Sequence, residues 1–282
     1  MKVLVSDSLA EEGVKRLKSG ADVDVITNLS PEELIQKIGD YDALVIRSGT
    51  KVTADVINAA KRLKVIGRAG VGIDNVDVEA ATKKGIIVLN TPGGNTISAA
   101  EHTIAMMLAM ARNIPQANSA LHQGEWNRKK YTGVEFYNKT LGIVGLGRVG
   151  AEVASRMKSF GMQILAYDPF VTEEKAQQMG LTLAPLETVL READFITVHT
   201  PLTNETRNLI DEDEFKIMKD GVRIVNCARG GIINEAALAK AVAEGKVAGA
   251  AVDVFTKEPP IGNPLLEQEK IITTPHLGAS TA

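Results

Sequence analysis

Short runs of apolar, β-branched residues alternate with amphipathic stretches along almost the entire chain, and that alternation limits the fold more than any other feature of the sequence. KVLVSD, VDVIT, ALVIRS, LKVIGRAG and GIIVLNTP supply the runs of the first half. LGIVGLG, QILAYDP, LTLA, DFITVHTP, VRIVNCARGG, VAGAAVDVF and KIITTPHLG supply those of the second. Parallel strands cannot be joined by a tight turn, so each crossover carries a helix and helices come to cover the sheet. Several runs of the second half are apolar throughout, as strands buried on both faces must be. A chain of 282 residues has room for two ordinary domains, and two α/β domains are predicted.

The seam falls in NTPGGNTISAAEHTIAMMLAMARNIPQ. Ser98 and Glu101 are spaced as a capping box, and Ile97, Ile104, Met107, Leu108 and Ala111 recur at helical intervals. A long helix is expected to lead from a first domain, residues 1–98, into a second, residues 99–282. Its methionines read as core or subunit interface rather than as a ligand site. A second capping box, Ser30 with Glu33, marks the helix SPEELIQKI, with Pro31 at its first position.

Gly145-Leu146-Gly147-Arg148-Val149-Gly150 is G-x-G-x-x-G, a weak pattern alone, but it follows a strand, Leu141 to Val144, and opens a helix, Arg148 to Lys158. In that setting Gly145 permits a tight turn, Gly147 lets backbone amides approach a pyrophosphate, and Gly150 lets the helix pack closely on the strand. The helix N-terminus adds free N–H groups and a partial positive charge. Asp168, ending the next strand, stands about 20 residues beyond the loop, where a carboxylate accepts ribose hydroxyls and repels a 2′-phosphate; NAD is favoured over NADP. GRAGVGIDNVD, with Gly67, Gly70 and Gly72, also lies between a strand and a helix. Asn90 sits where its acid should fall and a third glycine is missing, so it reads as an anion nest whose amides around Val71 and Gly72 could hold a carboxylate. The leading residues would then hold substrate.

Ligands of open parallel sheets collect beyond the carboxyl ends of the strands. In the second half those ends carry Arg229, Glu258 and His276. Beside a nicotinamide, His276 would take a hydroxyl proton as hydride leaves the carbon. Glu258 would orient the imidazole, and Arg229 would grip a carboxylate and polarise the reacting oxygen. Singly, each has a plain structural alternative: a surface cation, a solvated turn, a hydrogen-bonded loop histidine. Their conjunction behind a dinucleotide loop favours catalysis. His102 reads as packed or interfacial, His122 as exposed and His199 as structural. Cys227 reads as a small residue under the nicotinamide, not a nucleophile. No metal site is expected.

A net charge of −3 leaves no basic footprint for nucleic acid or for an anionic membrane. MKVLVSD lacks the long apolar core of a secretory signal, and IAMMLAMA is too short to span a bilayer. Cys227 has no partner cysteine for an internal disulfide. A cytoplasmic location is expected.

GLGRVG with YDP, VHTPLTNETRNLI, NCARGGIINEAAL, AGAAVDVFTKEPP and TPHLGAST resemble the signatures of the D-isomer-specific 2-hydroxyacid dehydrogenases, and the likeness runs through essentially the whole chain. VIRSGTKVTADVI, IGRAGVGIDNVDVEAATKKGIIVLNTPGGNTISAAEHT and GEWNRKKYTG resemble the branch of that family that oxidises 3-phosphoglycerate to 3-phosphohydroxypyruvate in serine biosynthesis. The resemblance implies two Rossmann-like, doubly wound parallel-sheet domains, the first flavodoxin-like, with the active cleft between them. It implies Arg229, Glu258 and His276 as the catalytic set. It gathers Gly145, Gly147, Arg148, Val149, Gly150, Asp168, Thr200, Pro201, Cys227, Ala228, Arg229, Asp253, His276, Gly278 and Ala279 around NAD. It turns Arg47, Ser48, Arg68, Val71, Gly72 and Asn95 towards substrate, with Arg47, Arg68 and Arg128 as candidate cations for the phosphate. A homodimer or homotetramer joined through the cofactor domains is also implied, with the Met-rich seam helix contributing. Members of the family continue past GAST, cross back to complete the first domain and often add a serine-binding region. A chain ending at Ala282 would lack that return segment and hold its first domain less rigidly. Two other readings stay open: a glycerate or hydroxypyruvate reductase of the same family, and a non-catalytic NAD-sensing interaction protein.

Overall fold

The computed structural model describes residues 1–281. Its chain divides into two compact units, one ending at Asn95 and the other beginning at Thr96. In the first unit β1 (Lys2–Val5), α1 (Glu11–Lys18), β2 (Asp22–Val25), α2 (Pro31–Ile38), β3 (Ala43–Ile46), α3 (Ala54–Ala59), β4 (Val65–Arg68), α4 (Val78–Lys83) and β5 (Ile87–Asn90) follow one another. The strands pair in parallel in the order β2-β1-β3-β4-β5, the flavodoxin-like winding, whose switch point lies between β1 and β3.

In the second unit α5 (Thr96–Ala111) and α6 (Ile114–His122) precede β6 (Thr140–Val144), α7 (Arg148–Lys158), β7 (Gln163–Tyr167), α8 (Glu173–Gln178) and β8 (Thr182–Leu183). Next come α9 (Leu186–Glu192), β9 (Phe195–Val198), α10 (Glu212–Ile217), β10 (Val222–Asn226), α11 (Glu235–Ala243), β11 (Val247–Val252) and β12 (Ile271–Thr273). These seven parallel strands run β12-β11-β10-β9-β6-β7-β8, the Rossmann winding, with its switch point between β6 and β9. All twelve apolar runs of the sequence are strands.

Strand side chains alternate faces, and in the second unit both faces of the sheet are buried. Phe195, Val225 and Ala251 join Met107, Val153 and Met157 of α5 and α7 in one core cluster. Ile196, Ile224 and Ala250 join Leu190, Phe215 and Leu238 of α9, α10 and α11 in the other. The first unit gathers Leu4, Leu44, Ile46 and Ile66 against Leu34, Ile38, Val56 and Ala81.

The Ser30–Glu33 capping box forms as its spacing predicts, with Glu33 N–H donating to Ser30 Oγ and Ser30 N–H to Glu33 Oε2. Ser98 differs. The backbone turns helical at Thr96, so Ser98 lies inside the first turn and cannot be the flanking cap residue. Ile97 is exposed, whereas Met106, Met107 and Met110 are buried in the core of their own unit, so those methionines face inward and offer no subunit interface. Among the described residues no helix is long and apolar enough to cross a membrane, and no His, Cys, Asp or Glu cluster is placed to hold a metal ion.

Candidate functional site

The glycine loop sits at the second unit's switch point, and each glycine is required for a different reason. Gly145 has φ +98°, and a Cβ there would press on the backbone of His199 and Thr200. A Cβ on Gly150 would collide with the carbonyl of Gly145, so the helix can approach the loop only without one. Gly147 has open space where its Cβ would point, which is the space a pyrophosphate needs. Gly147 is the N-cap of α7 and makes no side-chain cap bond, leaving the first-turn amides, those of Arg148 and Val149 included, to the helix terminus. Thr200 follows β9 beside the loop. Its Oγ1 is buried and finds no hydrogen-bond partner among the described residues, as a hydroxyl waiting for a ligand would. Asp168 ends β7 and accepts from Leu146 N–H through Oδ2 and from Phe170 N–H through Oδ1, both at 2.8 Å. One bond per oxygen leaves lone pairs for ribose hydroxyls. These residues fit a dinucleotide.

Arg229, Glu258 and His276 come from the loops after three adjacent strands, β10, β11 and β12. His276 Nδ1 lies 2.9 and 3.0 Å from the two carboxylate oxygens of Glu258, and both side chains stay partly exposed. Glu258 also accepts from Phe255 N–H at 3.1 Å, while Glu235 takes Thr256 Oγ1 at 2.8 Å and Asn263 Nδ2 at 2.6 Å, fixing the segment that carries Glu258. The Arg229 turn is held by Asn226, whose Nδ2 donates to Arg229 O and whose Oδ1 accepts from Ala228 N–H. Gly230 packs against the backbone of Phe255 and Thr256 so closely that any Cβ would collide. The Arg229 and Glu258 loops are therefore locked together.

Cys227 and Asp253 sit among these loops; Ala228, Gly278 and Ala279 lie on them too, and Pro201 lies on the neighbouring loop after β9. Burial pushes the Cys227 thiol up to about 12, so it remains a protonated thiol. Burial pushes the His199 imidazole down to about 4, and its Nε2 pairs with Thr197 Oγ1 at 3.0 Å. That ring is neutral and committed to the fold.

In the first unit Arg47 and Ser48 follow β3 at the switch point, and Arg68 ends β4. Two residues that the sequence did not mark organise them. Asp7, just past β1, accepts from Arg47 N–H at 2.5 Å and from Thr50 N–H and Oγ1 at 3.1 and 3.0 Å. Asn75 donates to Arg47 O and Thr50 O, both at 2.7 Å, and accepts from Arg68 Nε at 3.0 Å. Val71 and Gly72 lie on a loop tied to β5 by Asn90 Nδ2 bonding Val71 O at 2.6 Å. As expected from the sequence, GRAGVGIDNVD runs from β4 to α4, which begins at Val78 with Asp77 as its cap; Gly72 lies five residues before that cap, so no helix terminus aims at it. Asn95 immediately precedes α5. Arg128 lies in exposed coil between α6 and β6 of the second unit, not at the carboxyl end of a strand.

A seven-stranded Rossmann sheet with a dinucleotide loop and a His–Glu pair on its carboxyl edge defines an NAD-binding oxidoreductase domain. The chain belongs to the D-isomer specific 2-hydroxyacid dehydrogenase family, whose NAD binding domain matches residues 104–278. It is 56% identical over its whole length to a D-3-phosphoglycerate dehydrogenase of Archaeoglobus fulgidus, covering 54% of that protein. The chain thus spans about half the length of the curated relatives it matches. A crystal structure of a Thermus thermophilus protein superposes with a TM-score of 0.91 at 35% identity, covering all of this chain and 91% of that one. D-Lactate dehydrogenase from Aquifex aeolicus, complexed with NAD and lactic acid, superposes at 0.89 with 28% identity, covering all of this chain and 90% of that one.

Proposed function

We propose that this chain carries out NAD-dependent oxidation of D-3-phosphoglycerate to 3-phosphohydroxypyruvate. The observation that carries the reading is the bidentate approach of Glu258 to His276 Nδ1, on the same sheet edge as a loop shaped for a pyrophosphate. NAD, when bound, supplies the hydride acceptor. With Nδ1–H given to Glu258, the lone pair of His276 lies on Nε2, and that atom takes the proton of the C2 hydroxyl. Glu258 stabilises the imidazolium as it forms and keeps the ring from turning. Arg229 holds the substrate carboxylate and the reacting oxygen. Asp168 takes the ribose hydroxyls and excludes a 2′-phosphate.

Arg47 and Arg68 receive the phosphate, and the Val71–Gly72 amides receive the carboxylate end. The separate bonds made by Asp7 and by Asn75 support this assignment by fixing the Arg47 loop and the Arg68 guanidinium ahead of any ligand. The name of the Archaeoglobus relative supports the same substrate. Assembly is through the second unit, as a homodimer or homotetramer; exposed Leu121, Trp126 and Phe160 offer apolar area for it. A reducing cytoplasm suits a chain with one cysteine.

NADH formation with 3-phosphoglycerate and with D-glycerate tests the substrate. The phosphorylated acid is expected to show a kcat/KM at least about ten-fold higher, a preference that Arg47→Ala erodes. Equal values would assign the chain to the glycerate reductases instead.

A further inference from the structure

Three imidazoles of the second unit, His102, His122 and His199, take no part in the mechanism above, and His102 is the one set against a buried carboxylate. His102, on α5, places Nε2 3.2 Å from Asp253 Oδ1 and 3.2 Å from Thr274 Oγ1. Asp253 follows β11 and is fully buried. Its Oδ1 accepts from Thr274 Oγ1 at 2.6 Å and Leu277 N–H at 2.7 Å, and its Oδ2 from Gly278 N–H at 2.8 Å. These bonds enclose His276, whose own N–H donates to Asp253 O at 2.9 Å and whose φ is 54°. A left-handed backbone at a non-glycine residue persists only where its surroundings over-determine it. Asp253 does so for the 274–278 loop.

The proton on His102 can be placed. Thr274 Oγ1 has one hydrogen and gives it to Asp253, so both oxygens near Nε2 present lone pairs. A bare Nε2 would repel them; it therefore carries a hydrogen. A buried carboxylate needs each of its donors, because leaving the charge short of one costs more than the bond itself is worth. Cys227 faces Asp253 as well but stays neutral, and Arg229 and Glu258 act at the outer end of the loops.

The geometry points to His102 as a positioning residue. Its Nε2–H donates to Thr274 Oγ1 and so fixes the hydroxyl that Thr274 gives to Asp253; through that pair it holds the 274–278 loop so that the His276 ring meets Glu258. The catalytic consequence rests on the proposed role of His276; the brace itself does not.

Two variants test it: His102→Leu fills the space without a donor, and His102→Gln keeps one. In the cofactor-free chain, amide hydrogen exchange at Leu277 and Gly278 should quicken at least about ten-fold in His102→Leu, stay unchanged at Ile143 and Val225, and return near wild type in His102→Gln. With NAD and 3-phosphoglycerate, kcat should fall about ten-fold in His102→Leu, with both KM values within about two-fold, and recover in His102→Gln. Unchanged exchange at Leu277 and Gly278, acceleration spread evenly through the unit, or no rescue by glutamine overturns the proposal. Were the wild-type chain to oxidise no 2-hydroxyacid, the functional reading would fail while the exchange result still decided the brace.

Discussion

The second unit covers its sheet on both faces with two core clusters, whereas the first gathers a single cluster and leaves α1 with no buried residue. On β5, Ile87 and Leu89 stay 60% and 55% exposed. Both sheets are parallel and open, and both put polar side chains beyond their carboxyl ends. The difference lies in how those ends are held. In the second unit buried groups such as Asp253 and close glycine contacts such as Gly230 fix the loops from beneath. In the first, a surface network through Asp7 and Asn75 does it. Precise proton transfer needs the former; gripping an anionic ligand tolerates the latter.

Glycine substitutions sharpen the contrast most. Gly230→Ala drives a methyl into the Phe255 backbone and should cost more than about 4 kcal/mol or prevent folding, read as the loss of a cooperative thermal transition. At the other extreme, Gly13→Ala lies in α1 with open space around it and should stabilise the first unit by about 0.5–1 kcal/mol. A comparable loss at both positions would erase the difference between the units.

Acid acts next. The folded chain keeps His199 neutral down to about 4, whereas the unfolded chain protonates it near 6.5. Its contribution is complete above 6.5 and is lost as pH falls towards 4, up to about 3 kcal/mol across that window. Urea unfolding of the wild type and of His199→Asn between those limits should show a steeper pH dependence for the wild type. Parallel curves would mean that the ring is not confined as described. Asp168→Ala is expected to act more modestly. Affinity for NAD, measured by calorimetry, should fall about ten-fold while that for NADP holds or rises, with the first unit's stability untouched.

The same contrast explains what could be read without coordinates. The strands buried on both faces announce themselves as continuous apolar runs, and even the half-exposed β2, β5 and β8 carry enough apolar, β-branched residues to be visible in the sequence. Arg229, Glu258 and His276 were visible because the strand-end rule applies to any parallel sheet. Asp7 obeys the same rule at the end of KVLVSD, in the first half. Asn75 and His102 leave no such trace: Asn75 bonds two backbone carbonyls and the Arg68 guanidinium, His102 reaches side chains more than a hundred residues away, and no local periodicity encodes either. Ser98 misled because Asn95, Thr96 and Ser98 are all good cap residues packed into four positions, and spacing alone does not choose among them.

Single-turnover NADH formation by His276→Gln, measured beside NADH affinity by fluorescence titration, bears most directly on the proposed chemistry. If His276 Nε2 carries the proton, the rate should fall by at least about 100-fold while NADH affinity stays within about two-fold. A rate near that of the wild type, with the cofactor still bound, would contradict it.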